Sequence, residues 1–236
     1  KKKGDRADSA KVVPPVSPGP ITYPMVGYGW VTPPEQATVI FRKATVWTNT
    51  AQGILRNTDV CIHQGRIFAV GTALDTIALF PGKRRPKIVE VNAEGMHLTC
   101  GIIDEHSHIA ISRGVNEGSM SVSAQVRIGD VVNPDDINLY RNLAGGVTTV
   151  QQLHGSANPI GGQSALIKLR WGHAADSLLI RDAPKHIKFA LGENVKQSNW
   201  GPSTRFPQTR MGVEQQFYEA FLRARDHAQE WNAWNS

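Results

Sequence analysis

Leu98-Thr99-Cys100-Gly101-Ile102-Ile103-Asp104-Glu105-His106-Ser107-His108 is the stretch on which the reading of this chain turns. It starts as an apolar strand and ends in two histidines separated by one serine. In an extended chain, residues two apart project from the same face, so His106 and His108 point together. Two imidazoles fixed on one rigid segment make half of a divalent metal site. A bare His-x-His also arises by chance, so position matters. In parallel α/β architecture the reactive groups gather at the C-terminal ends of strands, and this pair lies at such an end.

Beyond this strand, strands and helices alternate, which predicts α/β architecture with parallel strands. Asn133-Pro134-Asp135-Asp136 reads as a helix start, with Asn133 as N-cap, proline at the first helical position and two acids at the positive dipole end. That helix carries Ile137, Tyr140 and Leu143 and stops at Gly145-Gly146. Strands are expected at Val147–Leu153, Ala165–Trp171 and His186–Leu191. Val213, Phe217, Ala220, Phe221, Ala224, Ala228 and Trp231 form one helical stripe, able to cover a sheet.

Before the strand lies a different texture. Thr38–Trp47 is rich in β-branched and aromatic residues, Thr58–His63 and Arg66–Val70 flank the turn pair Gln64-Gly65, and Lys87–Val91 adds a short strand. Residues 38–96 thus read as a small β-sandwich segment, and residues 97–236 as the α/β part. Residues 1–37 read as a Pro-rich extension or linker in which Pro14, Pro15, Pro18, Pro20, Pro24, Pro33 and Pro34 preclude a helix. Tyr23, Met25, Tyr28 and Trp30 are more apolar than a free linker needs, so that stretch is expected to lie against a folded surface.

With 40% hydrophobic and 19% charged residues the composition is that of an ordinary globular protein. No apolar run approaches the ~20 residues of a membrane-crossing helix. The formal charge of +6 is concentrated in Lys1–Lys3 and in Lys83, Arg84, Arg85 and Lys87, without interleaved aromatics, so nucleic-acid binding is not expected. Cys61 and Cys100 have neither metal nor redox spacing, and each falls in an apolar stretch as a small hydrophobe. The chain begins with lysine and carries no targeting segment; a trimmed fragment and a processed precursor would both look like this.

The run Gly101-Ile102-Ile103-Asp104, followed by His106 and His108 and preceded by a β unit of this size, resembles the amidohydrolase superfamily, closest to its imidazolonepropionase-like and prolidase-like branch. The family strand reads Pro-Gly-aliphatic-Ile-Asp-x-His-x-His. Here Cys100 replaces the proline, at the strand entry and away from the ligand positions. The resemblance covers roughly residues 38–236. It implies a (β/α)8 barrel with one or two divalent metals at its mouth, zinc by default, held first by His106 and His108. It also implies hydrolysis of a C–N bond in an amide, cyclic amide or peptide-like substrate by an activated water. A barrel takes ~250 residues and only about 140 follow residue 96, so the chain supplies about the first half. The family's late histidines and catalytic aspartate are not in this sequence. The rest of the barrel is expected from the same precursor or from a second chain, in an oligomer or larger complex.

In the same resemblance a lysine on a middle strand, often carboxylated, bridges two metals. Lys188, in His186-Ile187-Lys188-Phe189-Ala190-Leu191, fits that place, because a lysine inside an apolar strand is costly unless altered or paired. A lysine reaching solvent from the strand end is the other reading. Glu193 is the runner-up ligand, and His186 shares a strand face with Lys188. His154, before the loop Gly155–Ser164, is expected to contact substrate, with the N–H groups of Gly161 and Gly162 forming a carboxylate nest; a surface histidine on a plain connector is the alternative. His63, His97, His173 and His227 have no partner at ligand spacing. Similar proteins with long extensions are often exported, which leans towards a bacterial periplasmic or cell-surface location. The competing function is a catalytically inactive interaction module of the same fold.

Overall fold

The computed structural model describes residues 19–236; Lys1–Lys3 and the prolines up to Pro18 lie outside that range. β1 (Thr38–Trp47), β2 (Ile54–His63), β3 (Arg66–Gly71), β4 (Ile88–Asn92) and β5 (His97–Leu98) form one five-stranded sheet. Its order is β3-β2-β1-β4, with β5 alongside the last residues of β1. Gln64 and Gly65 both adopt left-handed backbone, φ 50° and 70°, which is the two-residue turn that matches strand twist. β2 begins at Ile54, four residues before the expected start.

Lys43 sits at φ 59° in a bulge where the β1–β2 register shifts, and strand alternation puts the adjacent residues Val60 and Cys61 into two different small cores. Ile40, Cys61 and Phe80 make one, and Ala44, Val46, Val60 and Ala93 the other. Asp59 holds the bulge. One carboxylate oxygen accepts the Lys43 N–H at 2.9 Å, and the other takes the Arg42 guanidinium at 2.8 Å and the Leu74 N–H at 3.0 Å. Arg42 also forms a two-pronged pair with Glu90 across the parallel β1–β4 ladder. The short helix α1 (Thr76–Leu79) follows, capped by Asp75.

The α/β part contains β6 (Ile102–Ser107), α2 (Ile137–Ala144), β7 (Val147–Gln152), β8 (Ile160–Gln163), β9 (Ala165–Lys168), α3 (Ala175–Leu178), β10 (Ile187–Phe189) and α4 (Arg210–Trp234). The expectation of parallel strands holds for one pair. β6 and β7 run parallel because α2 carries the chain back between them. β7–β9 and β8–β10 are antiparallel, giving a mixed three-stranded sheet β6-β7-β9 and a separate pair, and these strands close no barrel among the described residues. The core beneath the larger sheet is Leu139, Val150, Ile167, Leu169, Trp171 and Leu178.

Three local expectations need correction. The cap of α2 is Asp136, whose side chain accepts the Asn138 N–H at 2.9 Å; Asn133 forms its own turn one step earlier, accepting the Asp135 N–H. The Gly-rich segment read as loop contains β8, paired with β10. Cys100 is exposed, beside Asn49, while Cys61 is buried. The aromatic segment near residue 23 does lie on the fold. Trp171 Nε1–H donates to the Tyr28 carbonyl at 2.9 Å, the Tyr28 and Tyr140 rings stack with centroids 4.6 Å apart, and Trp30 packs on the main core. α4 packs through Val213, Phe217 and Phe221 against the β10 region, and its far end is open, with Trp234 82% exposed. No helix among the described residues is long and apolar enough to cross a membrane.

Candidate functional site

The site forms where β6 and β7 end side by side. Ser107 faces inward and is buried, and His106 and His108 stand on the opposite, exposed side. Their ring centroids are 5.3 Å apart with planes at 87°. The alternation that sends Ile187 and Phe189 towards α4 turns Lys188 to the other face of β10, and its Nζ lies 3.4 Å from His106 Nε2. The sequence separation between them is 82 residues.

Two imidazoles and an amine so close cannot all be protonated without cost. The Lys188 charge, then burial, then the neighbouring His108 hold His106 below its ordinary pKa, against the pull of Asp104 and Glu105. Burial likewise pushes the Lys188 ammonium down, so less work is needed to remove its proton than for a solvated lysine. Both shifts favour nitrogen lone pairs, the form in which these atoms bind an electrophile or a cation.

His108 is oriented from behind. Its Nδ1 lies 2.9 Å from the Leu153 carbonyl oxygen. A carbonyl only accepts, so Nδ1 carries the proton and Nε2 keeps its lone pair. The chain leaving His108 is fixed just as closely. Ala110 has φ 55°, a costly conformation for a residue with a Cβ, and is held there on both sides. Its N–H donates to Asp136 Oδ2 at 2.7 Å, and its carbonyl accepts from the Asn133 N–H at 2.8 Å and from Gln152 Nε2 at 2.9 Å. Asp136 therefore starts a helix and fixes the turn after the histidine pair with the same carboxylate.

The other expected residues are placed differently. His154 is only 1% exposed. Its Nε2 accepts the Glu117 N–H at 2.7 Å, and its Nδ1 donates to the Gly155 carbonyl at 2.8 Å. A ring with both nitrogens committed inside the protein has none left for a substrate. Gly161 and Gly162 are buried in extended β8, not curled into a nest, and a Cβ on Gly161 would sit 2.7 Å from His154 Nδ1. They make room for the ring. Glu193 forms ion pairs with Lys196 and Arg210 on the surface, apart from the histidine pair. Two contributors carried no signal in the sequence: the main-chain carbonyl of Leu153, and Asn158, which is fully buried and donates to the Glu117 and Met120 carbonyls. Among the described residues, no cluster of three or more His, Cys, Asp or Glu is arranged to hold a metal.

No family model matches the chain. It is 35% identical over 184 residues to the amidohydrolase tasK of Hapsidospora irregularis, an alignment spanning 70% of this chain and 18% of that protein. Among solved structures, an amidohydrolase from Thermotoga maritima matches with a TM-score of 0.67 and 32% identity, covering 82% of this chain and 49% of that one. The chain thus spans less than half the length of either relative. Sequence and structure together make the chain a relative of the amidohydrolase superfamily.

Proposed function

We propose that this chain forms the first half of a (β/α)8 barrel in a metal-dependent hydrolase that cleaves a C–N bond in an amide, cyclic amide or peptide-like substrate. The observation that carries the reading is the convergence of His106, His108 and Lys188 at strand ends, with His108 Nε2 left as a lone-pair donor by the Leu153 carbonyl. Two imidazoles and an amine suit a borderline divalent ion such as zinc, and as a set they make a half-site whose remaining ligands would come from residues beyond these. Such an ion supplies an activated water and Lewis-acid polarisation of the scissile carbonyl. His106 and His108 would bind it, and their rigid seating on β6 would fix its place. Lys188, with its ammonium disfavoured by burial, is suited to carboxylation, in which the free amine adds to the carbon of CO2 and releases a proton, and the resulting carbamate would serve as a ligand for a second ion. Asp136 and Gln152 keep the turn behind the pair from moving.

The half-barrel reading has its own support. β6 lies at the edge of its sheet, and Ile102 and Ile103 within it are 57% and 66% exposed. An apolar strand at an unpaired edge calls for a further strand or helix to cover it.

Metal analysis of the full polypeptide tests the reading. About one or two zinc ions per chain are expected, lost on His106→Ala or His108→Ala, while the melting temperature of the metal-free protein changes little because both side chains are exposed. A parent protein that takes up no divalent ion would overturn it in favour of an inactive interaction module.

A further inference from the structure

The geometry points to His154 as a positioning residue: it locks the Leu153–His154 peptide so that the Leu153 carbonyl fixes the tautomer and aim of His108. This rests on the reading of His108 as a metal ligand.

The three residues Leu153, His154 and Gly155 form one continuous clamp. The Leu153 N–H donates to the Ser107 carbonyl at 3.0 Å, and the Leu153 carbonyl accepts from His108 Nδ1 at 2.9 Å. One residue on, the His154 ring grips the Glu117 N–H through Nε2 and the Gly155 carbonyl through Nδ1. The Gly155 N–H then donates to the Val115 carbonyl at 2.9 Å. The loop that follows the histidine pair is therefore tied back, at Val115 and Glu117, to the peptide that orients one of those histidines.

The imidazole is suited to this double duty. The Glu117 N–H is a donor, so Nε2 must be unprotonated; the Gly155 carbonyl is an acceptor, so Nδ1 must carry the proton. The ring is therefore the neutral Nδ1–H tautomer, and neither nitrogen can change role without losing a buried hydrogen bond. It lies against Gly161 and Gly162, where any Cβ would crowd it, at 2.7 Å from Nδ1 and 3.3 Å from Cδ2. A side chain so fully held transmits its position to its own peptide. Without the ring, the peptide that carries the Leu153 carbonyl would be held only by main-chain bonds at its two flanks, Leu153 to Ser107 and Gly155 to Val115, with nothing gripping His154 itself. His108 would then exchange tautomers, and in part of the population Nε2 would bear a proton. Groups that fix a ligand histidine from behind typically change metal affinity by about 10- to 100-fold.

The test uses the full polypeptide, its His154→Leu and His154→Gln variants, and zinc as the probe. Long-range nitrogen–proton NMR of the metal-free parent is expected to show His108 and His154 as Nδ1–H tautomers. In His154→Leu the His108 signal should become a tautomer mixture, and zinc affinity should fall by about 10- to 100-fold. His154→Gln, whose amide oxygen still accepts the Glu117 N–H, should recover most of both. If His154 in the parent is protonated or carries its proton on Nε2, the inference is wrong whether or not the variants fold. It is also wrong if a folded His154→Leu keeps the parent's His108 tautomer and affinity. A parent with His108 locked as described but blind to zinc would overturn the hydrolase reading and leave the positioning role standing.

Discussion

Lys188 Nζ stands 3.4 Å from His106 Nε2, bringing an amine from β10 onto an imidazole from β6. The contact is between two bases, each of which is harder to protonate because of the other or of burial. In a resting protein two such groups repel whenever both are charged, so their juxtaposition costs stability unless something uses the lone pairs. Active sites are where this kind of arrangement collects.

Replacing Lys188 with methionine removes the largest cause of the low His106 pKa. The sign follows directly: without a neighbouring cation the protonated imidazole is less disfavoured, so the His106 titration moves to higher pH. Ring proton shifts followed by NMR across pH 4–9 in the metal-free protein check this. A His106 curve that stays in place would mean the lysine charge is not felt at that ring.

Gly161→Ala should destabilise the protein by about 1–3 kcal/mol, because the new methyl meets a ring that two hydrogen bonds hold still. Gly192→Ala is the control, with open space around the added carbon and an ordinary φ of −79°. Chemical denaturation of both variants measures the difference. Equal midpoints would show that the His154 ring can yield.

What the sequence showed and what it hid divide along physical lines. His106 and His108 share a face because strand geometry has a period of two, which needs no tertiary information. The Gln64-Gly65 turn and the β1 pattern are equally local. The burial of His154 was not legible because it depends on Glu117, at a sequence separation of 37, folding over it. Strand β8 was hidden because glycine leaves no side-chain pattern to read. The helix cap is ambiguous in the sequence because Asn and Asp at neighbouring positions compete for the same role, and Pro134 fits the preceding turn as well as a first helical turn. The direction of β9 and β10 depends on which strands they pair with, and composition alone does not encode that.

Asp136→Ala should cost more than an ordinary cap deletion. The loss of the Asn138 cap accounts for about 1 kcal/mol. The same carboxylate also holds Ala110 in left-handed backbone, so the total should reach about 2 kcal/mol. Asn133→Ala, which removes only an exposed local turn, should cost about 0.5 kcal/mol or less. Urea midpoints for the two variants separate the roles, and a larger loss at Asn133 would restore it as the helix cap.

Asp59 predicts how the β-sheet part responds to acid. Burial alone would raise its carboxyl pKa, but the Lys43 N–H, the Arg42 guanidinium and the Leu74 N–H together outweigh burial and hold it below the usual value. A carboxyl whose folded pKa is depressed contributes stability that is fully present above its unfolded value of about 3.9 and disappears as pH falls through the folded one. Asp59→Asn should therefore cost about 1–3 kcal/mol near neutrality, because a neutral amide with a single acceptor oxygen cannot serve the Lys43 N–H, the Leu74 N–H and the Arg42 guanidinium together, while Arg42 keeps its pair with Glu90. The gap between parent and variant should narrow steadily below about pH 4, as protonation removes from the parent the charge that the variant already lacks. Thermal melts of both proteins from pH 7 to pH 3 read that gap directly. A difference that stays constant over the range would mean that Asp59 acts through its hydrogen bonds alone, without its charge.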